Sequence, residues 1–451
     1  MRAHRKTERI TPTGLLAVAA LALAPMFALA AGASSVVGSG AVAGGHSMLR
    51  TLGTRWVRAD GTPIELKGVN LGNWLLPEFW MMGYPDNAPI NDQCTLETVL
   101  DRRFGFAERE RLIKLFRDHW ITARDWDLMP RFGLNLVRLP FLWSVIEDEK
   151  NPRHLRPDAW RYLDDAIAQA KARGMYVILD LHGAVGAQGT EHHSGCTGQN
   201  LYWSTPQYQE RTDWLWRQIA TRYKDNPVVA GYGLLNEPWG STAAQLAQVT
   251  RQLYASIREI DPAHIIILPD HPQGLGAYGK PAAQGMRNVV FETHPYPGHF
   301  GWGKPGLEVH RNWLQCLPDG AGLCEWKARM AALDTPLFMG EFQPWADLDA
   351  ELGGQLTRVS FDAYAQQGWA SAVWSFKMVT QQGGALKSAW GLVMNAEGHP
   401  LPALDFAQAP LADIESRFRQ FASVPYHTRT EVMRWMNSAT APDPLRQADQ
   451  K

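Results

Sequence analysis

Two short stretches end an apolar run on a glutamate. Residues 233–240 read GLLNEPWG and residues 337–345 read LFMGEFQPW, so Glu237 and Glu341 each close a segment otherwise suited to a protein interior. Two carboxyls brought face to face can divide one reaction between them. One lends a proton to a departing oxygen while the other attacks the carbon that the oxygen leaves, which is glycoside cleavage with retained configuration when the pair stands about 5–5.5 Å apart. The acid must keep its proton near neutrality and the nucleophile must stay ionised. Arg138 and Tyr296, if both reach Glu341, favour its charged form; Glu237 has no cationic neighbour in sequence and is expected to be the acid.

These residues need a scaffold that carries them to one place. From Trp56 onward, eight short apolar runs alternate with amphipathic stretches: 64–70, 134–140, 176–182, 229–236, 264–268, 289–294, 336–341 and 371–376. In WRYLDDAIAQAKARG, Trp160, Leu163, Ile167 and Ala170 recur at helical spacing and Gly174 ends the helix. TPQYQERTDWLWRQIATRY opens on a Thr205 cap with Pro206 at the first turn, and STAAQLAQVTRQLYASIREI repeats the capped pattern. Buried strands alternating with helices predict an α/β fold, a (β/α)8 barrel with long loops at its C-terminal face, over a doubly wound sheet. No Gly-x-Gly-x-x-Gly turn follows an early strand. Polar residues sit where the runs end: Asn70, Arg138, His182, Asn236, Glu237, His294, Glu341 and Trp374. A barrel gathers all those ends at one mouth.

In barrel order, GVNLGNWLLPE, LNLVRLP, VILDLHGAVGAQ, LLNEP, HPY, GEF and VWSFK resemble family 5 glycoside hydrolases, and within them the exo-β-1,3-glucanases, over about residues 55–405. The resemblance implies that Glu237 is the acid/base and Glu341 the nucleophile. It implies that Asn236 holds the sugar's 2-hydroxyl, that Arg138, His182, His294 and Tyr296 form a supporting ring, and that Trp374 is an aromatic floor. Glu78 falls where that pattern places an acid binding the terminal glucose, and Lys377 is a further substrate-binding candidate. Three positions depart from the pattern: Asn73 stands for a second glycine, HPYPGHF replaces a His-His-Tyr-like element, and Phe342 follows the nucleophile in place of tryptophan.

The rest of the chain narrows the reading. A net charge of −1 with both signs interspersed offers no basic stripe for nucleic acid. Basic residues, an apolar segment to about Ala30 and the ending Ala28-Leu29-Ala30 predict a cleaved signal over residues 1–30 and export to a periplasm or the exterior, with no stable membrane insertion afterwards. Residues 31–50 read as a flexible linker, 51–437 as the catalytic domain and 438–451 as a disordered tail. WVRADGTPIEL, turning at Asp60-Gly61, predicts a hairpin plugging the barrel. Four cysteines allow three pairings; Cys316 with Cys324 is favoured and Cys94 with Cys196 follows. His192 and His193 read as a polar loop, since adjacent side chains diverge and no third ligand is evident. Neither metal nor cofactor is called for. Asp180 and Glu292 read as buried structural acids, and Trp239, Trp302 and Trp345 as packing residues.

The expectation is a monomeric retaining β-glycosidase, an exo-β-glucanase releasing glucose from β-1,3-glucan or oligosaccharides. The alternatives are an endo-β-1,4-glucanase, a mannanase, a β-glucosidase acting on another glycoside, a transglycosylase, and a noncatalytic glycan-binding protein.

Overall fold

The computed structural model describes residues 45–445 apart from 271–274, 276–277 and 317–321. The expected signal, most of the expected linker and the last six residues of the expected tail lie outside the described residues. An antiparallel hairpin comes first, β1 (Leu49–Leu52) and β2 (Arg55–Arg58). Eight strands follow: β3 (Lys67–Asn70), β4 (Leu136–Leu142), β5 (Tyr176–Gly183), β6 (Val229–Gly233), β7 (Ile265–Pro269), β8 (Val289–Thr293), β9 (Leu337–Met339) and β10 (Ala370–Val373). All pair in parallel and close in the order β10-β3-β4-β5-β6-β7-β8-β9, the expected (β/α)8 barrel.

The barrel interior changes character with height. Strand side chains alternate between faces, and on the inward face β5 reads Tyr176, Ile178, Asp180, His182; β8 reads Val290, Glu292, His294; β10 reads Ala370, Ala372, Trp374. The lower positions join Leu136, Ile265, Ile267 and Phe338 in one apolar cluster. Trp56 on β2 closes that cluster from below, with Nε1 donating to Leu337 O at 3.2 Å. The upper positions supply the polar mouth. A dry floor thus holds the strands while the top layer carries the ionisable groups.

Several boundaries differ from the sequence expectation. The plugging hairpin is β1–β2, so the folded part begins at Leu49, inside the stretch read as linker. Asp60 and Gly61 do make a tight turn, but pairing beyond it is a single Val57–Pro63 bridge, since proline has no N–H to donate. Helix Pro206–Tyr223 starts on Pro206 without a cap from the Thr205 side chain. Helix Ala243–Arg258 does carry a capping box, between Thr242 and Gln245. Helix Arg161–Ala172 buries Leu163, Ile167 and Ala170 and gives way to Gly174 at φ 70°. After the barrel, helix Leu411–Ser423 packs Phe418 against Phe116. Leu445, in the segment expected to be disordered, lies against the core. No described helix is long and apolar enough to cross a membrane.

Candidate active site

Arg138 is the centre of the mouth. Buried on β4, it brings Nη1 within 2.9 Å of Glu341 Oε1, Nη2 within 3.1 Å of Asp180 Oδ2, and Nε within 2.8 Å of Glu292 Oε1. Burial works against its charge, but those three carboxylates raise its pKa above the ordinary arginine value. Arg138 also donates from Nη2 to Asn236 Oδ1 at 2.8 Å, which fixes the orientation of that amide. Asp180 and Glu292 are the buried structural acids the sequence implied, and what they hold is the site itself. Asp180 Oδ2 accepts from His182 Nδ1 at 2.7 Å, and Glu292 Oε1 lies 3.2 Å from His294 Nε2.

The two glutamates converge. Glu341 Oε2 accepts from Tyr296 OH at 2.6 Å, and Glu237 Oε1 lies 2.7 Å from His294 Nδ1. Reachable oxygens of the two carboxyls and a His294 nitrogen all fall within 4.8 Å of one another, the short spacing of a retaining pair rather than the ~6.5–9.5 Å of an inverting one. Neither glutamate belongs to a strand, since β6 ends at Gly233 and β9 at Met339. Glu237 sits at φ 38°, a region costly for a residue with a side chain, and strain of this kind gathers at functional sites. The segment is pinned from both sides: Asn236 N donates to Leu181 O, and Gln188 Nε2 donates to Asn236 O and to His182 O. Before Glu341, Gly340 is a spatial necessity, as a Cβ there would lie 1.9 Å from Glu292 Oε1.

The ionisation differs from the expectation. Glu237 does have histidine neighbours, with His294 at the β8 end the cationic one: His193 Nε2 stands 3.1 Å from its Oε2 and His294 faces Oε1. Burial alone would raise its pKa; His193, His294 and His182 outweigh burial and pull it to about 2. Burial raises Glu341, with the Glu237 charge adding to it and His294 and Arg138 opposing. Burial disfavours the charged form of His294, yet Glu341, Glu237 and Glu292 hold its pKa well above the usual imidazole value. This balance favours a protonated His294, a single hydrogen bond away from Glu237.

These groups line a cleft of about 970 Å³. On the side of the loops after β3 and β5 Glu78, buried, takes Trp80 Nε1 at 2.9 Å and His192 Nε2 at 3.1 Å on Oε2, while Oε1 has no hydrogen-bond partner. Burial would raise the Glu78 pKa, but His192 and His182 bring it below the usual value. Asn73 explains its own departure from the glucanase pattern. At φ 64° it adopts a conformation that asparagine tolerates, and its Oδ1 accepts from Glu78 N at 2.6 Å. Trp374 stacks on His182 with ring centroids 5.5 Å apart, and Gly72 leaves room for it, since a Cβ there would meet the indole at 2.9 Å. The other side is aromatic: Trp239, Phe300, Trp302, Trp326 and Trp390.

Of the candidates named from sequence, Glu237, Glu341, Glu78, His182, Asn236, His294, Tyr296 and Trp374 line this cleft, and Arg138 lies directly behind it. Lys377 does not join them. Its Nζ is buried on the far side of the strand end, donating to Trp120 O at 2.6 Å and Phe421 O at 2.8 Å, because those helix-end carbonyls have no partner of their own. Phe342 also points away, packing on Phe361 and Tyr364. Trp345 is buried as expected, but Trp239 and Trp302 line the cleft. Sequence reading missed His192, His193, Gln188 and Trp390. Gln188 lies inside the quoted VILDLHGAVGAQ motif, which was the available signal. The favoured bridge, Cys316–Cys324, is present, and so is Cys94–Cys196.

A parallel eight-stranded barrel with a close carboxyl pair at its mouth defines a glycoside hydrolase scaffold. The family model for cellulases of glycosyl hydrolase family 5 matches residues 108–377, and the chain belongs to that family. It is accordingly a retaining hydrolase of β-glycosides. The chain is 29% identical over 358 residues to a "Beta-xylosidase" of Phanerodontia chrysosporium, covering 74% of this chain and 72% of the relative. It is 29% identical over 289 residues to a "Probable glucan 1,3-beta-glucosidase A" of Aspergillus fumigatus, covering 61% and 64%. Among solved structures, a rutinosidase from Aspergillus niger shares the fold with a TM-score of 0.57 at 17% identity, over 72% of this chain and 95% of that one.

Proposed function

We propose that the protein is an exo-acting β-glucanase that releases glucose from the ends of β-1,3-glucan or its oligosaccharides. The observation that carries this reading is Glu78, a buried carboxylate with one unpartnered oxygen in the lining of the cleft. A terminal sugar offers it free hydroxyls, and hydrogen bonds to a charged partner are the strong kind.

Glu341 is the nucleophile in this reading, held as a carboxylate by Arg138 and Tyr296 once the sugar's developing positive charge lies against it. Glu237 is the acid/base, taking from His294 Nδ1 the proton stored 2.7 Å away. It gives that proton to the leaving oxygen as the glycosidic bond breaks and Glu341 bonds the anomeric carbon. It then takes a proton from the water that releases the sugar. Asn236 and Trp374 hold the sugar in place. A β-glucosidase acting on a glycoside with a flat aglycone is the second reading, supported by the exposed aromatics at the open end. Two disulfides fit an exported protein.

Incubation with laminarin, cellulose derivatives, mannan and aryl β-glucosides tests this. Glucose alone at early times from laminarin, with retained anomer, is expected; a ladder of oligomers sinks the exo reading. With an activated aryl glucoside, Glu237→Ala should recover turnover in azide and yield the β-glycosyl azide, and Glu341→Ala should lose about 10⁴-fold or more. Ordinary turnover in Glu341→Ala would remove the assignment.

A further inference from the structure

His193 is a loop residue that nothing in the barrel framework requires, yet it stands directly against the carboxyl taken as acid/base. Its buried Nε2 is 3.1 Å from Glu237 Oε2, at ion-pair distance but outside hydrogen-bond geometry, and has no hydrogen-bond partner among the described residues. Its tautomer follows from the network around it. Arg138 donates to Asn236 Oδ1, so the Asn236 Nδ2 protons face the other way, toward His182 Nε2 at 3.3 Å and His193 Nδ1 at 3.5 Å. His193 Nδ1 is then an acceptor, and a neutral ring carries its proton on Nε2, the nitrogen beside Glu237 Oε2. Burial is the largest influence on this imidazole and favours the neutral form over the pull of Glu237.

The loop is anchored within four residues of His193 at three points. Cys196 is joined to Cys94, Cys94 N donates to Gly195 O at 3.0 Å, and Thr197 N donates to Asp92 Oδ2 at 2.7 Å. Asp92 uses its other oxygen to cap helix Gln93–Phe104 through Thr95 N at 2.7 Å. Trp239 meets the imidazole edge-on, with centroids 5.3 Å apart. The loop thus holds the ring beside Glu237, from where a small turn of the imidazole brings Nε2–H onto Oε2.

We propose that His193 is a positioning residue for the acid/base step: its Nε2–H, kept beside Glu237 Oε2 by the disulfide-anchored loop, turns onto that oxygen, loosens the hold of the Glu237–His294 pair on the shared proton and stabilises the negative charge left when the proton moves to the departing oxygen. This rests on the reading of Glu237 as acid/base. A donor already held beside the developing charge needs only that small turn of its ring during reaction. The remaining charged groups facing Glu237 are His294 and Glu292 from the β8 end, Glu341 after β9, Arg138 on β4 and His182 on β5; His193 itself also faces Glu78 and His192. None of the others addresses Oε2 within hydrogen-bond distance among the described contacts.

The test is a series of aryl β-glucosides with leaving groups from 2,4-dinitrophenolate to phenolate, each over a full pH range. Without the donor, the Glu237–His294 pair holds its shared proton more tightly. In His193→Phe the alkaline limb of kcat/KM should therefore move up by about one pH unit, and kcat/KM for phenyl glucoside should fall about tenfold more than for the dinitrophenyl compound. His193→Gln, whose amide nitrogen can reach Glu237, should stay near wild type, and His193→Asn, which is too short, should behave like the Phe variant. An unmoved alkaline limb with equal losses across the series, or a change in KM alone, would show that His193 only packs or binds substrate, and the inference would fall. Absence of aryl glucosidase activity in the wild type, or lack of azide rescue in Glu237→Ala, would strike the acid/base reading instead.

Discussion

The cleft has two walls, each stapled by a disulfide, and they offer a substrate different things. The wall built from the loops after β3 and β5 is polar and closed: Glu78 is 3% exposed, His192 and His193 press against the acids, and Cys94–Cys196 joins one loop to the other. The wall after β8 is aromatic and open. Phe300 is 76% exposed and Trp302 43%, Trp302 leans on Trp313 of helix Leu307–Leu314, and Cys316–Cys324 ties the segment after that helix to helix Leu323–Leu333. A crowded polar wall recognises one sugar by its hydroxyls, because each buried group left unpaired by a wrong ligand is costly. An exposed aromatic wall is permissive, since any ring or chain with an apolar face can lie on it. The contrast assigns selectivity to the closed end and tolerance to the open one.

The sharpest way to break this contrast is Glu78→Gln. It keeps the shape and removes the charge, and kcat/KM on gentiobiose and aryl glucosides should fall about 10- to 100-fold, the worth of charge-assisted hydrogen bonds. A loss below threefold would leave the closed wall without its selective role. A smaller effect is expected from Trp302→Ala and Trp239→Ala: KM for laminari-oligosaccharides should rise about three- to tenfold, with little change for phenyl glucoside. Equal losses on both substrates would mean that these rings only support the fold. The smallest effect on catalysis should come from the staples, which separate on stability. Cys94→Ser/Cys196→Ser opens a connection across 102 residues and should cost about 4–5 kcal/mol in guanidinium unfolding, whereas Cys316→Ser/Cys324→Ser, across 8 residues, should cost under about 3. The reverse order would show that the open wall is the more constrained.

The same contrast explains what the sequence made legible. Every barrel strand was readable because burial on both faces enforces continuous apolar runs, and Asn70, Arg138, His182 and His294 were readable because each run breaks on a polar residue. The closed wall was readable only through Glu78. His192 and His193 sit in a loop with no periodicity, and their meaning comes from Cys196, three residues on, which fastens that loop to a segment 102 residues away. The reading of Glu237 as lacking a cation failed for the same reason, since neighbours across a barrel mouth are not neighbours in the chain. Lys377 misled in the opposite direction. It follows the VWSF stretch that carries Trp374, but it comes after the strand has turned, and its side chain leaves the cleft.

Where Lys377 goes has a consequence for the chain's far end. Its ammonium grips Phe421 in the last turn of helix Leu411–Ser423 as well as Trp120, and it lies three residues from the Trp374 floor. A proteolytic nick or a shortened gene product ending before residue 421 would take away one of these two grips. Trimming back past Phe421 would then be felt as a loosened sugar platform.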